Sequence, residues 1–335
     1  MANLTYQTKL RLKKGFLIAA IVLGVLLLLA VSRFLYLGRF VVYDEDGVHL
    51  DFGTDLPVAV QPQDEDTAQS FPLISDAATS ADISLPTGDK LPKLDGMCFS
   101  ADALLSGKDI SEVFEGNAVL LNVKTNNGKF LYNTTLPDTE QSSKAAELSP
   151  RIAALAKTTG VTAIARLSAF RDNAFALSHF SESLPITGGA LWMDEEGSYW
   201  LDPASEEVRN YLIAEAEELA RMGFEEILFE DFSFPLSGNI VYNGDGVTAV
   251  RETANAVKEA LDAKNIPVSF LSRDEEIQKL SARLFLTVPE GQLVSEIARK
   301  NLELIGGGEE RLVFLTDSHD TRFEAYSVMT PYVYD

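Results

Sequence analysis

The chain has 335 residues, 46% of them hydrophobic and 23% charged, so it can bury a full-sized core and is not a disordered protein. Of its 28 basic residues, six (Lys9, Arg11, Lys13, Lys14, Arg33 and Arg39) lie in the first 39 with no acid among them, leaving 22 against all 50 acids in a body of formal charge near −28. Such a body repels phosphate backbones and has no basic stripe with interleaved aromatics, which argues against a nucleic-acid partner. The single cysteine, Cys98, excludes an internal disulfide framework.

Residues 1–15 form a basic tail, and from Phe16 to Leu29 every residue is apolar or glycine, with apolar character continuing to Leu37. About 20 such residues span a bilayer core, so 16–37 is expected to be a transmembrane signal-anchor. The lysines and arginine directly before it place the amino terminus in the cytoplasm and everything after about residue 40 outside, by the positive-inside bias. A cleaved signal peptide is the competing reading, because Ala30-Val31-Ser32 puts small residues where a signal peptidase inspects them.

Residues 40–52, FVVYDEDGVHLDF, alternate in two short runs around Asp46-Gly47, a pair that favours tight hairpin turns. From Phe40 to Asp89 there is no Lys or Arg, and Pro57, Pro62, Pro72 and Pro86 interrupt a stretch rich in Asp, Ser, Thr and Ala. Residues 53–92 are therefore expected to be a flexible acidic linker, kept open by like charges.

From about residue 94 short β-rich runs alternate with helical periods, the pattern of βα units on a parallel sheet. The candidate strands are Gly96–Ser100, Ala118–Lys124, Thr162–Leu167, Glu226–Asp231, Pro267–Leu271, Arg283–Val288, Leu312–Thr316 and Ser327–Tyr334. Eight runs predict a (β/α)8 barrel of the TIM type over 94–335. A doubly wound open sheet shares the local pattern, but no G-x-G-x-x-G turn follows the first strand. Asp202-Pro203 is expected to cap and start the helix before the fourth strand, with Val208, Leu212, Ala216 and Leu219 on one face and Gly223 ending it. A second helix carries Val250, Ala254, Val257 and Leu261 on one face.

Four segments, LLNVKTNNGKFLY (120–132), AIARLSAFRDNAFA (163–176), GGALWMDEEGSYWLDP (188–203) and GFEEILFEDFSFP (223–235), resemble the putative glycosyl hydrolase domain family, bacterial (β/α) barrels distantly related to amylase-like enzymes. The resemblance implies a barrel and a glycoside hydrolase-like activity. Where the family commonly has two aspartates after the Val-Lys of the second strand, this chain has Thr125 and Asn126. The family's aspartate on the fourth strand corresponds to Glu230, and the arginine that follows corresponds to Ser233.

Glycoside hydrolysis needs two carboxyl groups facing one bond, and barrel active sites sit at the carboxyl ends of the strands. The acids at such ends are Glu230 and Asp231 on strand four, Glu290 after strand six and Asp317 after strand seven. Strand alternation lets only one of Glu230 and Asp231 face inward. Glu230 is thus the candidate acid or acid/base, with Asp317 or Glu290 as its partner across the mouth, and rim ion pairs with Arg166 or Lys124 are the alternative. Arg166, Lys124, Asn126 and Asp231 are candidate substrate-binding groups, and Trp192 and Trp200 are flat rings that could stack on sugar faces or pack under the rim. His49, His179 and His319 show no H-x-x-H spacing, so no metal is expected, and no cofactor motif appears.

The sequence therefore predicts a membrane-anchored extracytoplasmic glycoside hydrolase-like protein acting on polysaccharide of the envelope or exterior. The alternatives are a catalytically degenerate barrel that binds glycan or a partner protein, and a purely structural scaffold.

Overall fold

The computed structural model describes residues 41–44, 47–50, 91–105, 114, 116–289, 291–317 and 320–332. The basic tail, the expected membrane span and the linker up to residue 90 lie outside the described residues, and among those described no helix is long and apolar enough to cross a membrane. Two compact units divide the chain, Met1–Ile83 and Ser84–Asp335. In the first, β1 (Val41–Asp44) pairs antiparallel with β2 (Gly47–Leu50), with Asp44 opposite Gly47, so Gly47 belongs to the second strand and not to the turn predicted at Asp46-Gly47.

The second unit carries eight parallel strands: β3 (Asp95–Phe99), β4 (Ala118–Asn122), β7 (Thr162–Ser168), β8 (Glu226–Glu230), β9 (Val268–Phe270), β10 (Leu284–Leu286), β11 (Leu312–Leu315) and β12 (Ser327–Pro331). A two-stranded ribbon, β5 (Lys129–Phe130) and β6 (Glu140–Gln141), sits between β4 and β7 in sequence. The eight follow the order β10-β11-β12-β3-β4-β7-β8-β9, so chain neighbours are sheet neighbours and the last strand pairs with the first, from Val328 opposite Asp95 to Pro331 opposite Cys98. An open doubly wound sheet keeps its first and last strands apart; this order rolls the sheet into a near-closed (β/α)8 barrel. The seam lies between β9 and β10. There Ala282 N–H donates to the Val268 carbonyl at 2.8 Å and Arg283 N–H to Ser269 Oγ at 3.0 Å, holding the edges together at the strands' amino ends.

Alternation along each strand separates two cores. Leu120, Ile164, Leu228, Phe285, Val313 and Met329 fill the barrel lumen, while the opposite faces of β4, β7 and β8 pack against the helices. The first strand is followed by α1 (Ala101–Leu105), and α2 (Ala145–Ala156) precedes β7. Between β7 and β8 the chain makes α3 (Asn173–Ser178) and then α4 (Glu206–Met222), whose Val208, Leu212, Ala216 and Leu219 are all fully buried as their spacing predicts. Val208, Leu212 and Leu219 each contribute about 1.5–3 kcal/mol of hydrophobic burial, and the single methyl of Ala216 less. The start of α4 differs from expectation: its N-cap is Ser205, whose Oγ accepts from Val208 N–H at 3.2 Å, while Asp202 accepts from Ala204 N–H in the preceding turn. Gly223 ends it at φ +118, where a Cβ would lie 2.9 Å from the Ala156 carbonyl oxygen. The helices α5 (Gly246–Asp262), α6 (Glu275–Leu280) and α7 (Val294–Ile305) complete the outer layer, and Val250, Ala254, Val257 and Leu261 of α5 are buried.

Candidate active site

The register of β7 against β8 sets Arg166 opposite Leu228 and Ser168 opposite Glu230. Ile164 and Leu228 belong to the lumen, so Arg166 and Glu230, two residues further along their strands, also point inward, at the carboxyl ends. There Arg166 donates from Nε (2.8 Å) and Nη2 (2.5 Å) to one oxygen, Oε2, of Glu230. The two side chains keep 29% and 12% of their surface exposed, so the pair closes the top of the apolar lumen and opens to the barrel mouth.

Asp231 does not follow strand alternation. Its φ is +54, in the left-handed region that residues other than Gly, Asn and Asp seldom adopt. The strand has just ended, and this turn brings Asp231 back toward β7, where its Oδ2 accepts from Ser168 Oγ at 2.8 Å. The expectation that only one of the two acids faces the mouth is corrected accordingly. Ser168 lies on the same strand face as Arg166, so the carboxylates of Glu230 and Asp231 are bound side by side to residues two apart on β7.

Beside them the long excursion between β7 and α4 builds a second ionic group that the sequence did not announce. Arg171 Nη2 pairs with Asp194 (2.8 Å) and Glu196 (2.7 Å), and its Nη1 stands 3.8 Å from Asp231 Oδ1. Asp194 also accepts from the indole N–H of Trp200 at 2.8 Å and from the Ser198 N–H. Although its partial burial works the other way, these donors and Arg171 together hold the Asp194 carboxyl below its ordinary range. The guanidinium of Arg171 lies 5.9 Å from the Trp200 ring centroid. An arginine inside a segment as turn-rich as 169–205 gives no periodic signal from which its burial could be foreseen.

Lys124 is a correction. Its ammonium is fully buried, 2.8 Å from Asp172 and 2.6 Å from Glu215, and it lies 5.0 Å from the Tyr211 ring centroid. A cation so enclosed offers nothing to a glycan at the mouth. Trp200, 8% exposed and bonded through its N–H, is likewise rim packing rather than a stacking platform, whereas Trp192 is half-buried with its ring 6.1 Å away. Asn126 is exposed, and its carbonyl accepts from Ser198 Oγ at 3.2 Å. Thr125 holds the turn, donating to Asn127 Oδ1 at 2.6 Å and accepting from Lys129 N–H.

Ser233 is exposed. Asp317 is exposed two residues beyond β11, on the strands' carboxyl side and three strands round the barrel from β8. Glu290 and His319 lie outside the described residues. Cys98 lies against the lumen core, where burial pushes its thiol up to about 11 despite the nearby Arg166 charge. Among the described residues no group of three or more His, Cys, Asp or Glu is arranged to hold a metal ion.

Residues 107–272 match the family described as a putative glycosyl hydrolase domain. Among solved structures, a hypothetical protein from Ruminiclostridium thermocellum is similar at 22% identity over 52% of this chain and 96% of its own, with a TM-score of 0.44. An α-L-fucosidase isoenzyme from Paenibacillus thiaminolyticus is similar at 14% identity over 64% of this chain, with a TM-score of 0.46, and the match spans 40% of that enzyme. The glycoside hydrolase domain of PelA from Pseudomonas aeruginosa, in a variant form, is similar at 15% identity over 70% of this chain and 93% of its own, with a TM-score of 0.43. No curated protein sequence matches the chain.

Proposed function

We propose, on the premise that this chain belongs through residues 107–272 to the putative glycosyl hydrolase domain family, that it is a membrane-anchored glycoside hydrolase acting on envelope or extracellular polysaccharide. The observation that carries the reading is the Glu230–Arg166 pair: a largely buried carboxylate at the carboxyl end of the fourth barrel strand, facing inward, held in one orientation by two N–H donors and keeping 12% of its side-chain surface accessible. Because both donors fall on Oε2, Arg166 leaves Oε1 for a reacting group. The tether and the outward placement rest on the sequence alone, on Lys9, Arg11, Lys13 and Lys14 before the apolar run from Phe16.

A second reading is a barrel that binds glycan without turnover. It is favoured by the neutral turn at Thr125 and Asn126 and by Ser233, which stand where the family carries two acids and a cation. One experiment separates them: the full chain and its Glu230→Gln variant are incubated with purified envelope polysaccharides, and both bound glycan and released reducing ends are measured. Hydrolysis requires reducing ends from the wild type only, with binding kept in the variant. Binding without release by either protein selects the second reading, and neither binding nor release overturns both.

A further inference from the structure

The sequence places the partner of Glu230 across the mouth, at Asp317 or Glu290; the geometry points to a nearer group. We infer that Asp231 is the proton donor of the site and Glu230 the carboxylate that faces the sugar's developing charge, an assignment that rests on the hydrolase reading above.

Three observations carry it. First, the left-handed backbone at Asp231 (φ +54) turns an otherwise outward side chain to the mouth beside Glu230. Non-glycine residues occupy that region at a cost, and the cost persists where neighbours hold the conformation, here Ser168 and the segment's own Ser233 N–H to Asp231 O bond.

Second, the partners of the two acids differ in what they can do with a proton. A guanidinium only donates, so Oε2 of Glu230, facing two Arg166 N–H groups, has no room for a proton of its own. A hydroxyl donates or accepts, so Ser168 stays bonded to Asp231 whether that carboxyl is charged or protonated. Asp231 therefore gives up and regains a proton with its support intact, whereas both bonds that orient Glu230 fall on an oxygen that itself carries no proton.

Third, the cation nearest Asp231 is already engaged. Arg171 approaches it at 3.8 Å, outside hydrogen-bond range, while its shorter contacts go to Asp194 and Glu196. Asp194 and Glu196 take the shorter contacts of the guanidinium; Glu230 and Arg166 stand beside Asp231, and the ammonium of Lys124 reaches the carbonyl of its partner Ser168 at 3.4 Å. Arg171 is therefore a positioning residue.

In the reaction the bond between the anomeric carbon and the glycosidic oxygen breaks. The electron pair goes to that oxygen, which takes the Asp231 proton, while Glu230 supports the positive charge on the sugar. One water is consumed: its oxygen joins the anomeric carbon, and its proton, directly or through solvent, restores Asp231.

The test compares leaving groups. The full chain as wild type, Asp231→Asn and Glu230→Gln is assayed on a panel of hexosides, each sugar as its methyl glycoside, whose alkoxide needs a proton, and as its 2,4-dinitrophenyl glycoside, whose phenolate departs without one. Asn tolerates the left-handed backbone, so Asp231→Asn keeps the local turn. Asp231→Asn is expected to lose about 10²–10⁴-fold on methyl glycosides and less than about 10-fold on dinitrophenyl glycosides, and to lose the alkaline limb of the pH–rate profile. Glu230→Gln loses both activities alike. Equal losses on the two substrates with Asp231→Asn, or none, overturn the inference and leave the hydrolase reading standing. No turnover of any glycoside or polysaccharide by the wild type overturns both.

Discussion

Two clusters in this barrel are built from similar parts and differ in one respect. Behind the wall, Lys124 binds Asp172 and Glu215; at the mouth, Arg166 binds Glu230. Both join residues at or near the ends of neighbouring strands to acids at distances of 2.5 to 2.8 Å. The first is sealed by the side chains of α4 and by Phe130, with no exposed side-chain surface on Lys124 or Glu215, so two acids share one cation away from water and Oε2 of Glu215 has no hydrogen-bond partner among the described residues. The second keeps water on one side. A sealed pair serves the fold because breaking it strands a charge, whereas a half-open pair can exchange one partner for a ligand. The sequence ranks these two cations together, and exposure separates them.

The sharpest way to break the comparison is to remove the sealed cation. Lys124→Met leaves Asp172 and Glu215 facing each other without compensation, and chemical denaturation is expected to show a loss of about 3–5 kcal/mol. A loss below about 1 kcal/mol would mean that the cluster is not sealed.

The next effect is one of pH. Burial pushes Glu215 up to about 7 against the pull of Lys124, from an ordinary 4.5. For Lys124 burial works downward, yet Asp172 and Glu215 outweigh it and hold its ammonium above the usual value. An acid whose folded value is raised binds its proton more tightly in the folded state. Stability from this group is therefore fully present below about pH 4.5, falls as pH rises toward about 7 and is level above it. The fall is on the order of 3 kcal/mol in wild type, and Glu215→Gln should flatten it in a series of urea titrations from pH 5 to 8.

A smaller change tests the network's edge. Tyr211 donates to Asp172 at 2.8 Å inside the seal, and Tyr211→Phe is expected to lower the melting stability by about 1–2 kcal/mol. The smallest effect belongs to the mouth pair: Glu230→Gln should cost about 1 kcal/mol of unfolding free energy, because the amide oxygen can still accept from Arg166, which keeps 29% of its side-chain surface exposed. If Glu230→Gln destabilised the protein as strongly as Lys124→Met, the mouth pair would be structural and the proposed role of Glu230 would fall.

Much of this architecture was legible beforehand. The eight runs from Gly96 to Tyr334 each overlap an observed strand, six containing it whole and two falling one residue short, at Asp95 and Ser168, and the faces of α4 and α5 are buried residue by residue, because burial on one side of a helix or strand imposes a period that the chain displays. Glu230 could be placed inward by counting along a strand. Other assignments failed for identifiable reasons. Asp202-Pro203 resembles a capped first turn, but Ser205 makes the capping bond of α4. Lys124 stood at a strand end like Arg166, and nothing local revealed that the α4 acid Glu215 would cover it. That acid, four residues before Leu219 on the otherwise apolar stripe, was the available signal. Arg171 and Asp194 meet only through a turn-rich excursion with no period to read.

What the sequence by itself determined, then, is whatever depends on neighbours along the chain: the alternation that fills the lumen with Ile164 and Leu228, the helical stripes, and the composition of the amino-terminal segment. What tertiary structure alone decided is which of several similar charges is enclosed, which acid Arg166 holds, and that Asp231 turns back beside Glu230. These depend on side chains brought together from residues tens of positions apart, whose mutual distance and access to water are fixed only when the strands close into a barrel.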